Sequence, residues 1–585
     1  MAKAATRRRP IPDPPGAPIL VNHQETSLNN PRRNPPGRVI APGRRHRVAA
    51  TVLAIGAIGA AATAQAFEIE TGVPGLALRW DNTVRYNIAV RVENKDPKIA
   101  NAANSDESDN KFGRGKVVNN RLDLLSELDL VYQSQYGLRL SAAGWYDAGY
   151  NDHSVAHSAS FASTSYDNDT YSSFTKRYYN GPSAEVLDAF AFGNFDLGGP
   201  TLRFKLGKHS VFWGDVAFNA NHSVAYSQMP SDSRKSLASP GVEAKETVLP
   251  LAQLSAQLQL ADNLALAGQY FFDWKPNRVP EGGTYYGAAD FLFYGPDRFF
   301  LNPAAAPTLV VRRADAVEPG KSGNWGLSLK WSPDWLDGTL GVYYRKFDER
   351  QPWSAPQVVT PSATGAGFYR LVYAKGTEVF GVGLNKNIGG FAVAGELSQR
   401  RNTALINNAI NGTTLEGPRG DTLHGFLNAT VLGNLSASVP YTAVAELAGS
   451  RWTKVRVNEN FFNGEGYAGC SALGYGFSCA TKNYLGVTLL FAPKILQAIP
   501  GGDLSIPIFY QVGIKGNAAT LSGGNKDAGN YSIGLSLDYR SQYVIALTYS
   551  DFIGKYKDNG SVVTVGNGPL YEDRGLVSLS LRTSF

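Results

Sequence analysis

From about Leu76 onward, hydrophobic and polar residues alternate with a period of two. In the stretch 531–540, Tyr, Ile and Leu occupy the odd positions, while Ser, Gly, Asp and Arg occupy the even ones. The stretches 84–92 and 252–260 repeat this alternation. Because successive side chains of an extended chain point to opposite faces, the pattern predicts β-strands with one apolar and one polar face.

About 18 such segments are predicted, most of them near the roughly 9–11 residues that a tilted membrane strand needs. They lie at 77–93, 118–133, 137–148, 186–198, 201–212, 250–261, 263–275, 322–333, 338–348, 377–387, 390–400, 421–433, 440–453, 483–492, 503–514, 529–541, 542–555 and 575–585. The stretch 368–373 is a possible extra strand, which is assigned to a loop.

The connections between these segments alternate between long and short along the whole chain. Long connections such as 213–249 follow short ones such as 198–199. Outer-membrane barrels have long extracellular loops and short periplasmic turns. Residues 67–585 are therefore predicted to form an all-β fold, a transmembrane antiparallel β-barrel of about 18 strands with long extracellular loops and short periplasmic turns.

The first 66 residues have a different character. A Pro- and Arg-rich stretch precedes a short apolar run, 48–62, which is followed by Ala64-Gln65-Ala66. This order predicts a leader followed by a secretory signal peptide that is cleaved between Ala66 and Phe67. The alternative is that the apolar run is a buried helix.

The positive charge of the chain also belongs to this leader. The whole chain has a net charge of +7, but residues 1–66 hold 10 of the 56 Lys and Arg and only 2 of the 49 Asp and Glu. The remaining chain has a net charge of −1, so its charge gives no support for nucleic-acid binding. We expect no nucleic-acid partner.

The C-terminal segment alternates up to its last residue, Phe585. A terminal Phe on such a strand resembles the signal that the barrel-assembly machinery reads. Together with the signal peptide, it predicts location in the outer membrane of a Gram-negative bacterium, in contact with outer-membrane lipids and lipopolysaccharide.

The two cysteines, Cys470 and Cys479, lie in the long connection 454–482. In an oxidising periplasm, two cysteines this close in sequence can form one small disulfide loop. The sequence predicts this disulfide; the alternative is two free thiols.

Charged residues recur on the polar face of the first strands. Because a charge facing lipid costs about 2–4 kcal/mol at the membrane midplane, this face should line the barrel interior. The predicted pore-lining residues are Arg85, Arg91, Arg121, Asp123, Glu127, Asp129, Arg139 and Arg203. The alternative role for each is a charge ladder that braces the wall.

Connection 213–249 is predicted to fold into the lumen, because about 18 strands enclose more space than side chains fill. Charged residues there would set selectivity at a constriction. The predicted constriction residues are Trp213, Asp215, Glu243, Lys245 and Glu246. The alternative is a solvated surface loop with weak ion pairs.

Catalytic patterns are sparse. Beyond the leader there are five His residues, and no metalloprotease, phosphate-loop or nucleophile-elbow motif occurs. We predict no catalytic residue, no metal and no cofactor. A Ser-His hydrolase stays open, because such residues assemble in space rather than in sequence.

The stretch Gly207–Asp215, GKHSVFWGD, precedes Met229–Asp232, MPSD, and Gly241–Glu246, GVEAKE. In order and spacing these motifs resemble the proteobacterial outer-membrane family known as domain of unknown function 1302. His209 and Asp215 depart from the family pattern, which has Gln and Glu there. The resemblance implies an outer-membrane protein associated with hydrophobic compounds and with export proteins of the periplasm or inner membrane; it implies no reaction.

These observations predict a channel or facilitator for hydrophobic or amphiphilic small molecules, and not an enzyme. The substrate class depends on the resemblance alone. Two alternatives are an outer-membrane barrel hydrolase of the lipase or esterase type, and a structural or adhesive barrel whose loops bind partners.

Overall fold

The computed structural model describes residues 67–585, except for 240, 303–307, 363–364, 409 and 472–477. The predicted leader and signal peptide, residues 1–66, lie outside the described residues. In the described part of the chain, no helix has both the length and the apolar character needed to cross a membrane.

Eighteen antiparallel strands form a closed barrel, which confirms the predicted fold. Each strand pairs with the next along the chain, and the last pairs with the first through Thr83↔Ser584 to Arg91↔Leu576. The strands are β1 Leu76–Arg91, β2 Val117–Tyr132, β3 Tyr136–Asp147, β4 Ser183–Asp196, β5 Thr201–His209, β6 Leu251–Ala261, β7 Leu264–Phe271, β8 Trp325–Trp331, β9 Gly338–Phe347, β10 Thr377–Ile388, β11 Phe391–Ala404, β12 Arg419–Ser436, β13 Val439–Val457, β14 Asn483–Ile499, β15 Gly502–Ser505 with Ile508–Lys515, β16 Gly529–Tyr539, β17 Tyr543–Ile553 and β18 Leu576–Ser584.

The largest differences from the predicted boundaries lie at the short turns. β14 continues to Ile499, although Pro493 suggested a turn from 493 to 502; in the structure Pro493 instead stands opposite Tyr441 in the ladder. β15 is interrupted at Ile506 and Pro507. Proline has no N–H to donate, so it interrupts a ladder there without ending the strand.

Smaller elements lie outside the eighteen-strand ring. Phe67–Glu70 pairs with β1, and two short strands, Tyr556–Asp558 and Val563–Gly566, form a hairpin. Five short strands of the long connections form a separate sheet: Arg298–Phe300, Val310–Arg313, Gln357–Val359, Phe368–Arg370 and Ile410–Asn411. The stretch 368–373 thus lies in a long connection, outside the barrel, and three of its residues pair within this second sheet.

The helices are short and all lie in the long connections. They are α1 Glu107–Asn110, α2 Ser173–Tyr179, α3 Ser233–Ala238, α4 Ala244–Thr247 and α5 Ala468–Ser471. Single 3₁₀ turns occur at Ile99–Asn101, Ala148–Tyr150, Asp167–Asp169, Ala220–His222 and Glu459–Phe461.

The barrel is apolar outside and polar inside. On β2, Leu122 and Leu124 are 39% and 44% exposed, whereas Arg121 and Asp123 are only 4% and 1% exposed. This is the reverse of a soluble protein and is what contact with lipid requires. The polar faces of the strands therefore meet in the lumen.

Aromatic residues of the long connections pack together and form part of the buried core. One cluster combines Phe112, Tyr150, Tyr166, Tyr171, Tyr179, Tyr285 and Tyr286. The connections therefore fold against one another, and their packing joins chain segments far apart in sequence.

Candidate functional site in the barrel lumen

The chain leaves the wall after β5 and returns at β6, and we call residues 210–250 the inner segment. It contains α3 and α4. Its contacts reach inward-facing side chains of β9, β11 and β13 on one side, and of β1, β2 and β18 on the other. The segment thus spans the lumen.

Wall carboxylates hold the backbone of the first half of the inner segment. Glu446 of β13 accepts hydrogen bonds from the N–H groups of Ala217 and Asn219, at 2.8 and 2.7 Å. Glu396 of β11 accepts one from the N–H of Asp215, at 2.9 Å. Both carboxylates are almost completely buried, so these bonds are shielded from bulk water.

Wall arginines hold the carbonyl groups of the same half. Arg345 of β9 donates from Nη1 to the carbonyls of Val224 and Tyr226, at 2.9 and 2.7 Å. Arg400 of β11 donates to the carbonyl of Asn221 at 2.6 Å, and its guanidinium lies 3.8 Å from the centre of the Tyr226 ring. Acids and bases of the wall thus bind complementary backbone groups.

Ion pairs hold the second half. The Glu246 carboxylate lies 2.9 Å from Arg85 of β1 and 2.7 Å from Lys235 of α3. Burial raises the pKa of Glu246, but the hydrogen bond from Arg85 and the charge of Lys235 outweigh it, and the pKa lies below its usual value. Glu246 is 1% exposed, so its charge is neutralised rather than presented to water.

The other two predicted constriction charges remain partly exposed. Lys245 lies 2.5 Å from Glu127 of β2 and 3.1 Å from Glu243. Glu243 also pairs with Arg582 of β18 at 3.0 Å. The side chains of Lys245 and Glu243 are 42% and 36% exposed. Their role in selectivity stays a prediction.

The two remaining constriction residues lie against the wall. Trp213 is 7% exposed and its ring centre is 6.4 Å from that of Tyr343. The Asp215 carboxylate accepts a hydrogen bond from Asn385 at 3.0 Å. Both residues attach the segment to β9 and β10, and Trp213 presents little surface to the lumen.

The eight predicted pore-lining residues all lie in the inward phase of their strands, but they fall into two groups. Arg85, Arg91, Arg121 and Asp123 are at most 4% exposed and are buried in ion pairs. Glu127 is buried as well, at 6% exposed, and the more accessible group consists of Asp129, Arg139 and Arg203. Within it, Arg139 lies 2.7 Å from Asp129 and also contacts Glu127.

A cavity of about 540 Å³ remains between the inner segment and the wall, and we call it the lumen cavity. Three aromatic rings, of Phe190, Phe192 and Phe212, line it together with charged residues that include Lys205 and Arg139. Phe192 stands opposite Lys205 in the ladder, close to the short turn that joins β4 to β5. The lumen cavity therefore lies on the side of the segment that carries the short turns.

A hydrogen-bonded pair, His209 and Ser255, adjoins this cavity. His209 Nδ1 is 3.0 Å from the carbonyl oxygen of Gly207, and Nε2 is 2.7 Å from Ser255 Oγ. A carbonyl oxygen only accepts, so Nδ1 carries the proton and the Ser255 hydroxyl donates to Nε2. The imidazole is thus held in one tautomer.

Sequence reasoning missed the four wall residues that hold the first half of the segment: Arg345, Glu396, Arg400 and Glu446. All four stand in the polar phase of predicted strands, and each is almost completely buried. The sequence did contain a signal for them, because a charged residue in a predicted membrane strand is expected to point into the lumen. The pore-lining prediction stopped at β5 and did not extend this rule to later strands.

The structure also places the remaining predicted residues. Cys470 and Cys479 form a disulfide in the connection after β13, with their Cα atoms 5.6 Å apart. The backbone of Phe585 pairs with that of Asn82, with N–O distances of 2.8 and 2.9 Å, and continues the seam between β18 and β1. Ala66 lies outside the described residues, so signal cleavage stays a prediction.

A closed barrel that is apolar outside, polar inside and crossed by its own inner segment defines the class of transmembrane β-barrels. Within that class, the chain belongs to the family described as protein of unknown function DUF1302, whose model matches residues 47–585. The suspected family is thereby confirmed.

The chain is also similar to solved outer-membrane proteins. OccD3 (OpdP) of Pseudomonas aeruginosa is 12% identical, over 89% of this chain and 93% of that one, with a TM-score of 0.39. OccAB2 of Acinetobacter baumannii is 9% identical over 87% and 98%, with a TM-score of 0.39. OpdK of Pseudomonas aeruginosa, solved with vanillate, is 9% identical over 87% and 98%, with a TM-score of 0.38. No curated protein matches the sequence.

Proposed function

We propose that the protein is an outer-membrane channel or facilitator for hydrophobic or amphiphilic small molecules. The observation that carries this proposal is the lumen cavity, whose walls combine Phe190, Phe192 and Phe212 with charged groups. An amphiphile needs both kinds of surface along its path, whereas small ions need only water and charge.

The inner segment supports the same function. It leaves the wall and spans the lumen, so a solute that crosses the barrel must pass beside it. Ion pairs such as Lys245 with Glu243 lie at its exposed edge. Such contacts can exchange partners with a solute, because half-exposed ion pairs contribute only about 0–1 kcal/mol each.

The test is transport by the purified barrel and by cells. Proteoliposomes should take up radiolabelled amphiphiles faster than empty liposomes. A deletion strain should grow more slowly on hydrophobic carbon sources and regain growth from a plasmid copy. Absence of both effects, with protein that migrates as a folded barrel on unheated gels, would overturn the proposal.

A second candidate, an outer-membrane hydrolase, is favoured by the His209–Ser255 pair. The Ser255 hydroxyl donates to an imidazole whose tautomer is fixed, as the nucleophile and base of a hydrolase do. Purified protein should then hydrolyse nitrophenyl esters and react with a fluorophosphonate, and Ser255→Ala should abolish both. Activity that persists in Ser255→Ala would rule this candidate out.

A further inference from the structure

We infer that the lumen cavity binds an organic anion with an apolar or aromatic body, and that Lys205 pairs with the anionic group. This inference depends on the proposed function, because it names the substrate class of the same cavity. It starts from the partners of the three cations that line the cavity, Arg139, Lys205 and Lys245.

Two of the three cations are already neutralised. Arg139 lies 2.7 Å from Asp129 and 3.6 Å from Asp188. Lys245 lies 2.5 Å from Glu127 and 3.1 Å from Glu243. A new anion would have to displace a carboxylate of the protein to pair with either of them.

Lys205 differs from both. Among the described residues, no carboxylate lies within 4.0 Å of its ammonium group; Asp188, which also lines the cavity and pairs with Arg139, acts on it only from a longer distance. Its contact is with an aromatic ring: Lys205 Nζ lies 5.1 Å from the centre of Phe190. An ammonium group has three donors, so Lys205 can accept an incoming anion without displacing any partner.

The hydroxyl nearest along the ladder does not compete for the anion as a donor. Ser255 stands opposite Lys205, but its proton is committed to His209. Lys205 is therefore the group at this level of the wall that can donate to an anion. One such donor group suits a single anionic head rather than a multiply charged ligand.

The apolar body has a surface to pack against. Phe190 and Phe192 belong to the wall, while Phe212 belongs to the inner segment and is 55% exposed. A Phe this exposed inside the lumen leaves apolar area that a ligand would remove from water, at roughly 25 cal/mol per Å². Because Phe212 and Lys245 both belong to the segment, a bound ligand contacts wall and segment at once.

The experiment uses the purified mature protein in planar bilayers with 4-phenylbutyrate added on the short-turn side. The dissociation constant is read from current blockade. Butyrate, which lacks the ring, and 4-phenylbutanol, which lacks the charge, should both bind more weakly. Lys205→Gln should raise the dissociation constant for 4-phenylbutyrate at least about tenfold, because it removes a charge-assisted hydrogen bond.

Lys330→Gln is the matched control. Lys330 lies on β8 in the inward phase, which it shares with the buried Gly326 and Ser328, but it does not line the lumen cavity, so this variant should keep the wild-type affinity. Each variant is first checked for folded migration on unheated gels. The inference would be overturned if Lys205→Gln and wild type bound 4-phenylbutyrate with equal affinity. It would also be overturned if wild type bound 4-phenylbutanol as tightly as 4-phenylbutyrate.

The two proposals fail in different ways. If proteoliposomes show amphiphile flux but Lys205→Gln leaves the affinity for 4-phenylbutyrate unchanged, the proposed binding site is wrong and the channel function stands. Binding that depends on Lys205, measured by calorimetry in nanodiscs, without any flux would support the site and overturn the channel function.

Discussion

The two halves of the inner segment are attached to the barrel by different chemistry. In the first half, wall side chains such as Glu446 and Arg345 bind the backbone N–H and C=O groups of residues 215–226. In the second half, side chains of the segment pair with side chains of the wall, as Glu246 does with Arg85. The first attachment depends on the wall, and the second depends on the sequence of the segment itself.

This difference predicts different responses to mutation, salt and pH. Backbone groups cannot be substituted, so apart from side-chain contacts such as that of Asp215 with Asn385, the first half should loosen mainly when the wall changes. The second half should loosen when either partner loses its charge. Two proteases report on the halves separately: chymotrypsin can cleave after Phe218, and trypsin after Lys235.

The largest effect is expected from Glu246→Gln. This change leaves Arg85 and Lys235 buried without their shared carboxylate, and breaking a buried ion pair costs roughly 3–5 kcal/mol. Trypsin cleavage after Lys235 should rise and single-channel conductance should increase, with little change at Phe218. The double variant Arg85→Gln/Glu246→Gln should recover part of the loss, since fewer unpaired charges remain.

If Glu246→Gln shows wild-type trypsin cleavage after Lys235, then Glu246 does not attach the second half of the segment to the wall. Glu243→Gln serves as the control of equal charge change. Glu243 is more exposed than Glu246, so its loss should leave trypsin cleavage nearly unchanged.

The next largest effect is expected from Glu446→Ala in the first half. It removes the acceptor for the N–H groups of Ala217 and Asn219, and an unsatisfied buried donor costs about 1–3 kcal/mol. Chymotrypsin cleavage after Phe218 should rise while trypsin cleavage after Lys235 stays low. Glu446→Gln keeps one acceptor oxygen, so its cleavage after Phe218 should lie between that of wild type and that of Glu446→Ala. Equal cleavage after Phe218 in all three proteins would refute the role of Glu446.

The barrel itself could be predicted from the sequence because lipid imposes one rule on every strand. Alternation over 531–540 is enough to place Leu535 outward, and it is 47% exposed. The same rule placed all eight predicted pore-lining charges in the inward phase. Strand number and closure follow from repeating this rule along the chain.

The apolar wall of the lumen cavity could not be predicted, because aromatic residues are not expected on a polar face. Phe190 and Phe192 share the phase of Asp188 and Asn194 on β4, and they line the cavity. A register shift between Leu140 and Ala142 in the β3–β4 pair changes which residues of β4 point inward. Such a bulge adds one residue to one strand and leaves no clear mark in the sequence.

The partners of the inner segment were also beyond prediction. Glu246 meets Arg85 across 161 positions of sequence, and no local spacing encodes that distance. The motif GVEAKE indicated that charge matters there, but not that Glu246 would be buried while Lys245 stays exposed.

A smaller effect is expected from mild acid, and it should separate the halves. His222 lies in the first half, 3.1 Å from His424 and 2.8 Å from the carbonyl of Gly523. Burial, together with the charge of Arg400, lowers the pKa of His222 to about 4. His222 would bind a proton more readily when the inner segment is detached from the wall than when it is bound. The bound form therefore loses stability as pH falls from about 6.5 towards 4.

The second half should resist acid longer. Burial raises the pKa of Asp232, but Arg234 and Arg278 outweigh it and lower the pKa to about 2; the pKa of Glu246 is lowered as well. Carboxylates with depressed pKa lose stability only below their usual values near 4. Between pH 7 and 5, deuterium exchange corrected for intrinsic rates should rise around His222 and not around Glu246, and His222→Asn should remove the change.

The smallest effect on stability, with a clear effect on function, is expected at Lys245 and Glu243. Because both are substantially exposed, the ion pair between them should stabilise the segment by no more than about 1 kcal/mol. Glu127, the buried partner of Lys245, keeps Arg139 as a second partner. Protease cleavage of Lys245→Gln and Glu243→Gln should therefore stay close to that of wild type. Fixed charge in the lumen still acts on passing ions, so the reversal potential in a salt gradient should move toward cation selectivity in Lys245→Gln and toward anion selectivity in Glu243→Gln. Both shifts should shrink from 0.1 M to 1 M salt, where the screening length falls from about 10 to about 3 Å. Identical reversal potentials in wild type and both variants at low salt would show that Lys245 and Glu243 do not face the conducting path. The distinction between a buried, ion-paired Glu246 and exposed charges that act on passing ions would then be wrong.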